Sequence, residues 1–457
     1  MAYHFEGILA ARDCKRHIAH RLTLPDGCGR LDIQFRFAPP GAFGVANLIT
    51  LTLFDPHGFR GAGHRGGDSH TVQITATGAT PGYFPGPLSA GEWTVQIDTH
   101  MIMPEPAVRY WLDVAFSPDT GALPPSTSLA PRPAPRGAGW YRGDLHCHTH
   151  HSDAHGFTVS DLLRAAREYA LDFVFLTDHN TVSGLPEMDA GTTAELLAAG
   201  GIELTTFWGH ALCLGTRDWV DWRVCPGGDG MARIAEATYA AGQVFVIAHP
   251  QSVGDPGCTG CAWRYGEMSP GNARLVEVWN GPWNGDSNNE AALALWYDWL
   301  NQGLHIVATA GTDAHAAQPP GIAVSLAGAG AAPGFNVVYA EALTEMALLK
   351  ALRAGHLYLS AGPQLLFQAQ DARNATAIAG DTVTGTATFS LEWADCPDGA
   401  LVRILANGRL LRQWPAQGQG AMTWTLSAKQ ADWVLVEIRS EHGAMLALSN
   451  PIFLRNE

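Results

Sequence analysis

Five short apolar runs in the middle of the chain each end in side chains able to bind a metal, and this recurrence constrains the fold more than any other feature. The first cluster lies in Gly143-Asp144-Leu145-His146-Cys147-His148-Thr149-His150-His151-Ser152-Asp153. The second is Thr177-Asp178-His179-Asn180, after Phe173-Val174-Phe175-Leu176. The third is Gly201-Ile202-Glu203-Leu204-Thr205, with Gly209-His210 downstream. The fourth is His249-Pro250, and the fifth is Gly311-Thr312-Asp313-Ala314-His315. In an extended strand, residues i and i+2 share a face, so His146 and His148 can offer two imidazoles to one cation. Any single cluster could be capping or core residues. Five at the same end of successive strands point to one metal centre built from His146, His148, Asp153, His179, Glu203, His210, His249, Asp313 and His315.

Around this stretch the patterning changes twice. Residues 1–123 alternate with period two, as in Leu31–Phe37, Leu48–Phe54, Trp93–Asp98 and Tyr110–Phe116, with Gly/Pro/Asp turns between them. This predicts an N-terminal β-sandwich. Such a unit could bind carbohydrate, or dock on the catalytic unit as a lid. Residues 124–139 are proline-rich and read as an extended linker. Residues 140–360 alternate strands with helices, including Ser160–Ala170, Gly230–Ala241, Asn289–Gln302 and Thr344–Ala354, and suit an α/β barrel. Residues 361–457 return to strands, with a hairpin turn at Asn407-Gly408, and predict a second β-sandwich.

A net charge of −15 argues against a nucleic-acid partner. No secretory leader and no membrane-length apolar run are evident, so the expected location is cytoplasmic, with no membrane partner. The expected partner is a small-molecule substrate, and a homo-oligomer is compatible with the sequence. Cys258-x-x-Cys261 has no second pair to complete a four-cysteine zinc site. It reads as loop thiols, with a disulfide or a redox role as alternatives.

The motifs Gly-Asp-Leu-His-Cys-His-Thr, Leu-Thr-Asp-His-Asn, Ile-Glu-Leu-Thr…Gly-His, Ala-His-Pro and Gly-Thr-Asp-Ala-His resemble, in order, those of the polymerase-and-histidinol-phosphatase (PHP) superfamily. The resemblance implies a distorted (β/α)7 barrel flanked by the two sandwiches. Val276-Glu277-Val278-Trp279-Asn280-Gly281 and Ser449-Asn450-Pro451-Ile452-Phe453 resemble the carbaryl-hydrolase group within it. The family likeness implies two or three divalent ions, Zn, Mn or Fe. One would take His146, His148, Glu203 and Asp313; a second would share Glu203 and take His210 and His249; a third would use Asp153, His179 and His315. It further implies a hydrolase whose ions share a hydroxide that attacks an ester.

Asp178 is expected to hydrogen-bond a ligand imidazole, and His151, with His150 and His155 as alternatives, to protonate the leaving group. Between Gly143 and Thr312 there is no Lys, whereas a phosphate dianion favours Arg or Lys. Arg264 and Arg274 are the nearest candidates. Trp208, Trp279 and Trp283 could form an aromatic wall or simply pack between sheet and helices, and Glu277 and Asn280 could line the pocket. The favoured substrate is therefore an aryl or apolar carboxyl ester or carbamate. A phosphoester on the same metals is the alternative, and a non-catalytic protein with a structural metal site is the third reading.

Overall fold

A computed structural model of the chain describes residues 2–118, 133–316 and 332–456. The fold is mixed α/β, rich in sheet and sparing of helix. Part of the expected linker, 124–132, lies outside the described residues.

The N-terminal strands form two four-stranded antiparallel sheets. One runs Ala2–Leu9, Val108–Ser117, Arg30–Ala38, Ser69–Thr75, and the other His17–Leu24, Gly91–Met101, Leu48–Asp55, Gly58–Gly63. Alternate residues such as Leu31, Ile33 and Phe35 from one sheet and Ile49, Leu51, Leu53, Val95 and Ile97 from the other fill a common core, as period-two patterning requires.

In the middle of the chain, Gly139–Asp144, Phe173–Leu176 and Leu197–Thr206 run parallel. The strand Leu197–Thr206 then turns back through Phe207-Trp208 into Gly209–Leu214, which pairs antiparallel on both of its edges. Val244–Ile247, Leu275–Asn280 and Val307–Gly311 resume parallel pairing. The expected wholly parallel sheet is thus interrupted by one hairpin.

The described residues do not form the expected closed barrel. Val307–Gly311 ends the ladder, and the free edge of Gly139–Asp144 pairs antiparallel with Phe335–Ala340. The buried Asn336 amide spans the seam, accepting from Ala310 N (2.9 Å) and donating to Ala310 O (2.6 Å). Asn450, in the C-terminal motif, does the same two residues earlier on that strand, accepting from Ala308 N at 2.8 Å and donating to Ala308 O at 2.9 Å. Side-chain amides therefore satisfy backbone groups that a continuing strand would otherwise pair.

The first helix begins one residue earlier than its pattern suggests. Thr158 caps Val159–Glu168, where Ser160–Ala170 was expected, because Thr158 and Asp161 close a reciprocal capping box. Of the strands after 361, Met445–Ser449, Trp433–Arg439 and Leu401–Ala406 continue the same large sheet from Leu357–Ser360, while Thr376–Ile378, Gln364–Gln370, Thr386–Ala394 and Gly420–Ser427 form a separate four-stranded sheet, and Asn407-Gly408 makes the expected tight turn, both residues at positive φ. Cys258 and Cys261 are joined as a disulfide, correcting their reading as free loop thiols. No described helix is long and apolar enough to cross a membrane.

Burial holds His70 and His100 neutral. It pushes His70 down to about 4 and His100 well below the ordinary imidazole value. Both regain an ordinary pKa on unfolding, so the unfolded chain binds more protons below about pH 6.5. Stability is expected to be full above that pH and to fall as pH drops towards 4. Urea midpoints at pH 7.5 and 5 measure this, and His70→Gln should flatten the difference. Asn336→Ala should cost about 2–4 kcal/mol in the same assay, because it strands two buried backbone groups.

Candidate metal centre

The centre is assembled where strands end. His146 and His148 follow Gly139–Asp144, His179 follows Phe173–Leu176, His249 follows Val244–Ile247, and Asp313 and His315 follow Val307–Gly311. Glu203 and His210 lie on the two arms of the hairpin. Glu203 pairs with Leu212 and Thr205 with His210, so Glu203 and His210 are diagonal neighbours on one face. Asn180, His249 and Asp313 have φ of 55°, 26° and 52°. These left-handed backbones are costly for non-glycine residues and concentrate at functional sites.

The structure brings all nine sequence-predicted ligands together. Glu203 Oε2 lies 3.3 Å from both His146 Nε2 and His148 Nε2 and 2.8 Å from His179 Nδ1. Glu203 Oε1 lies 3.0 Å from His210 Nδ1 and 3.2 Å from His249 Nε2. Asp313 Oδ1 is 3.4 Å from His146 Nε2 and 3.0 Å from His148 Nε2. Asp153 reaches His179 Nε2 at 3.4 Å and His315 Nε2 at 3.2 Å. Four sets of donors are compact enough to hold an ion: His148/Asp153/His179/His315, His146/His148/Glu203, His146/His249/Asp313 and His179/Glu203/His210.

These side chains fit divalent cations. Donors about 2.0–2.2 Å from a shared ion stand roughly 3.0–3.5 Å from one another, the range of most of these separations. His146 Nε2, His148 Nε2, His210 Nε2, Glu203 Oε2 and Asp313 Oδ1 are buried without a hydrogen-bond partner. Such atoms are expensive to leave unpaired. Mixed His/carboxylate donors suit Zn, Mn or Fe.

The electrostatics are those of a charge-dense buried cluster. Burial opposes ionisation of Glu203, but His179, His146 and His210 hold its pKa well below the carboxylate range. Asp313 is held down likewise, against burial, by His146 and His148. Burial, with His179 and His315 nearby, pushes His148 down to about 4, keeping it a neutral donor.

Several expected roles change hands. Among the described residues Asp178 bonds no imidazole: it accepts from Thr149 N (2.8 Å), Thr149 Oγ1 (2.7 Å) and Ser152 Oγ (2.6 Å), and so ties down the turn after His148. The carboxylate that orients ligands is Glu277, expected to line the pocket. It is buried, with Oε1 3.0 Å from His146 Nδ1 and Oε2 accepting from His249 N and Asn280 Nδ2 at 3.0 Å each. Asn280 also donates to Asp313 at 3.3 Å, so it braces the cluster. Gly311 permits this approach, since a Cβ there would stand 2.2 Å from Glu277 Oε1 and 2.4 Å from His146 Cβ.

His151, the expected proton donor, faces Ser183 Oγ (2.8 Å) and Glu187 (3.4 Å) instead of the cluster. Trp279 and Trp283 are core residues, 0% and 2% exposed, in edge contact with each other; only Trp208 is half-buried. Arg264 is exposed near Trp208, its N–H donating to Trp208 O at 2.7 Å.

Sequence reasoning missed the contribution of the N-terminal strands. Buried His64 packs its ring 4.6 Å from that of His179. Arg65 donates to Ser152 O (3.1 Å) and His150 O (3.2 Å), across the turn that carries Asp153. The available signal was slight: a histidine and an arginine directly after the glycine-rich stretch Gly58–Gly63.

No protein-family model matches the chain, and no curated protein matches it significantly. Similar solved structures include a two-domain protein from Bacteroides vulgatus described as containing a predicted PHP-like metal-dependent phosphoesterase. It is 15% identical, with 73% of this chain and 100% of that chain covered and a TM-score of 0.37. Another, from Bifidobacterium adolescentis, is described as a candidate metal-dependent phosphoesterase; it is 16% identical, with 39% of this chain and 89% of that chain covered and a TM-score of 0.26. Neither likeness is close enough to carry a conclusion about fold or activity.

Glu277→Gln should lower metal affinity about 10–100-fold, the usual effect of losing a carboxylate that orients a ligand. Metal content after dialysis against a buffered metal series checks this.

Proposed function

We propose that the chain is a metal-dependent hydrolase that cleaves an ester bond at the His/Asp/Glu cluster. The observation that carries this reading is the set of buried, unpartnered donor atoms on His146, His148, His210, Glu203 and Asp313, gathered from three separate segments of chain. The residues that would hold the ions are His146, His148, Glu203 and Asp313 for one, His210 and His249 with Glu203 for a second, and Asp153, His179 and His315 for a third. Divalent cations held there supply Lewis acidity and activate water at neutral pH.

The protein's own part is to position and to exclude water. Glu277 fixes the His146 ring through Nδ1, leaving Nε2 facing Glu203 and Asp313. Thr205 Oγ1 meets His179 Nδ1, and Asn280 braces Glu277 and Asp313. His146, His148 and Glu203 are each 0% exposed, so charge at the centre acts through a medium of low dielectric. A purely structural site is disfavoured, because such sites prefer closed, Cys-rich tetrahedra.

The preference for aryl esters and carbamates rested on the lack of Lys between Gly143 and Thr312 and on a wall of three tryptophans. With Trp279 and Trp283 in the core, phosphoesters and carboxyl-type esters stand level as substrate classes.

A panel of nitrophenyl phosphate, phosphodiester, acetate and N-methylcarbamate, run with metal-replete protein, should show turnover of one class, abolished by chelation. Glu203→Gln should keep the fold by circular dichroism yet lose more than the roughly 10–100-fold typical of a residue that only orients a ligand. Turnover that survives both treatments would sink the proposal.

A further inference from the structure

A cleft of about 340 Å³ backs onto the metal centre, and its walls come from four parts of the chain: Lys15, Phe207 and Trp208, Pro226, and the segment Gly254 to Arg264. Its size falls within the range of small-molecule sites. Only the thickness of one residue separates it from the cluster. A Cβ on Gly260 would stand 2.6 Å from Thr206 O and 3.4 Å from His210 Nε2, and Gly260 has φ +78°. Glycine is what lets the backbone lie there.

The cleft is positive in a chain whose net charge is −15. Lys15 supplies one charge, held in place at three points. Its Nζ donates to Phe207 O at 2.7 Å, pairs with Asp255 Oδ2 at 2.7 Å, and sits 4.4 Å from the centroid of the Trp208 ring. The Lys15 backbone is left-handed, φ 61°, and its side chain is 17% exposed. An ammonium has three donors, and these contacts use two. Arg264 supplies the second charge: it is exposed, and its guanidinium makes no hydrogen bond or ion pair recorded among the described residues. Asp255 offsets one charge, so the cleft keeps an excess of one cation beside the indole of Trp208.

We infer that this cleft is the subsite for an anionic group, a carboxylate or phosphate, carried on an aromatic part of the substrate. Lys15 and Arg264 hold the anion, and Trp208 flanks the ring. Lys15 is then a specificity-determining residue that the N-terminal strands deliver to a site built by the middle of the chain. The lack of Lys between Gly143 and Thr312 therefore does not argue for a neutral substrate. The inference rests on the hydrolase reading for what the bound group is attached to, but not for the binding itself.

Calorimetric titration of metal-replete protein with benzoate, phenylphosphonate and neutral benzamide tests it. One of the two anions should bind at least about tenfold more tightly than benzamide, and Lys15→Met or Arg264→Ala should each weaken it about tenfold, the worth of a charge-assisted hydrogen bond. Which anion binds distinguishes carboxylate from phosphate. The same anion should inhibit hydrolysis competitively. Lys15→Arg should restore binding if Lys15→Met is poorly folded, and Arg264 is exposed enough to test alone. Equal binding to wild type and both variants would place the anion on the metal ions and overturn the inference, as would benzamide binding as well as the anions, or binding without inhibition. Lys15-dependent binding with no ester turned over would instead sink the hydrolase reading and leave the anion site standing.

Discussion

One buried carboxylate, Glu203, stands within 3.3 Å of five imidazoles: His146, His148, His179, His210 and His249. Six histidines and three acids packed this tightly need either a shared set of protons or a shared set of cations. Burial alone would neutralise Glu203, and the surrounding imidazoles reverse that. Its position follows from the one hairpin that interrupts the parallel strands, because antiparallel return is what sets His210 diagonally across from it. A parallel strand would have needed a crossover of a dozen residues or more. Phe207-Trp208 does the job with two, and the same turn presents Trp208 to the adjoining cleft.

The N-terminal sheets are part of this arrangement. Arg65 ties the turn bearing Asp153, His64 packs on His179, and Gly82 exchanges hydrogen bonds with Ser183 and Thr181 at 2.9 Å each. Lys15 bonds the hairpin turn itself. A region of alternating period-two strands therefore forms one wall of the centre. The carbohydrate-binding reading of that region has no support in these contacts.

Much was legible in the chain. Strand positions such as Leu31–Phe37 and Val244–Ile247 follow from local alternation or short apolar runs bounded by turns, which need no tertiary information. Most of the nine candidate donors were legible because they stand just after such a run, whereas Glu203 and His210 lie on the two arms of the hairpin. What misled were assignments of partner. Asp178 neighbours His179 in sequence, yet in the structure it serves Thr149 and Ser152, while Glu277 reaches His146 from 131 residues away. Trp279 lies within the strand Leu275–Asn280, and Gly334 leaves room for its indole to pack inward.

The sequence by itself determined the element types and the kinds of donor at the strand ends, because side-chain periodicity and turn chemistry act over a few residues. Tertiary structure alone decided which donors share an oxygen, which carboxylate orients them, that the ladder stays open at the seam bridged by Asn336, and that Lys15 faces the cleft. Each of these depends on register and on the approach of segments far apart in the chain, and distances of 3 Å between such segments are set by packing, which no local pattern encodes.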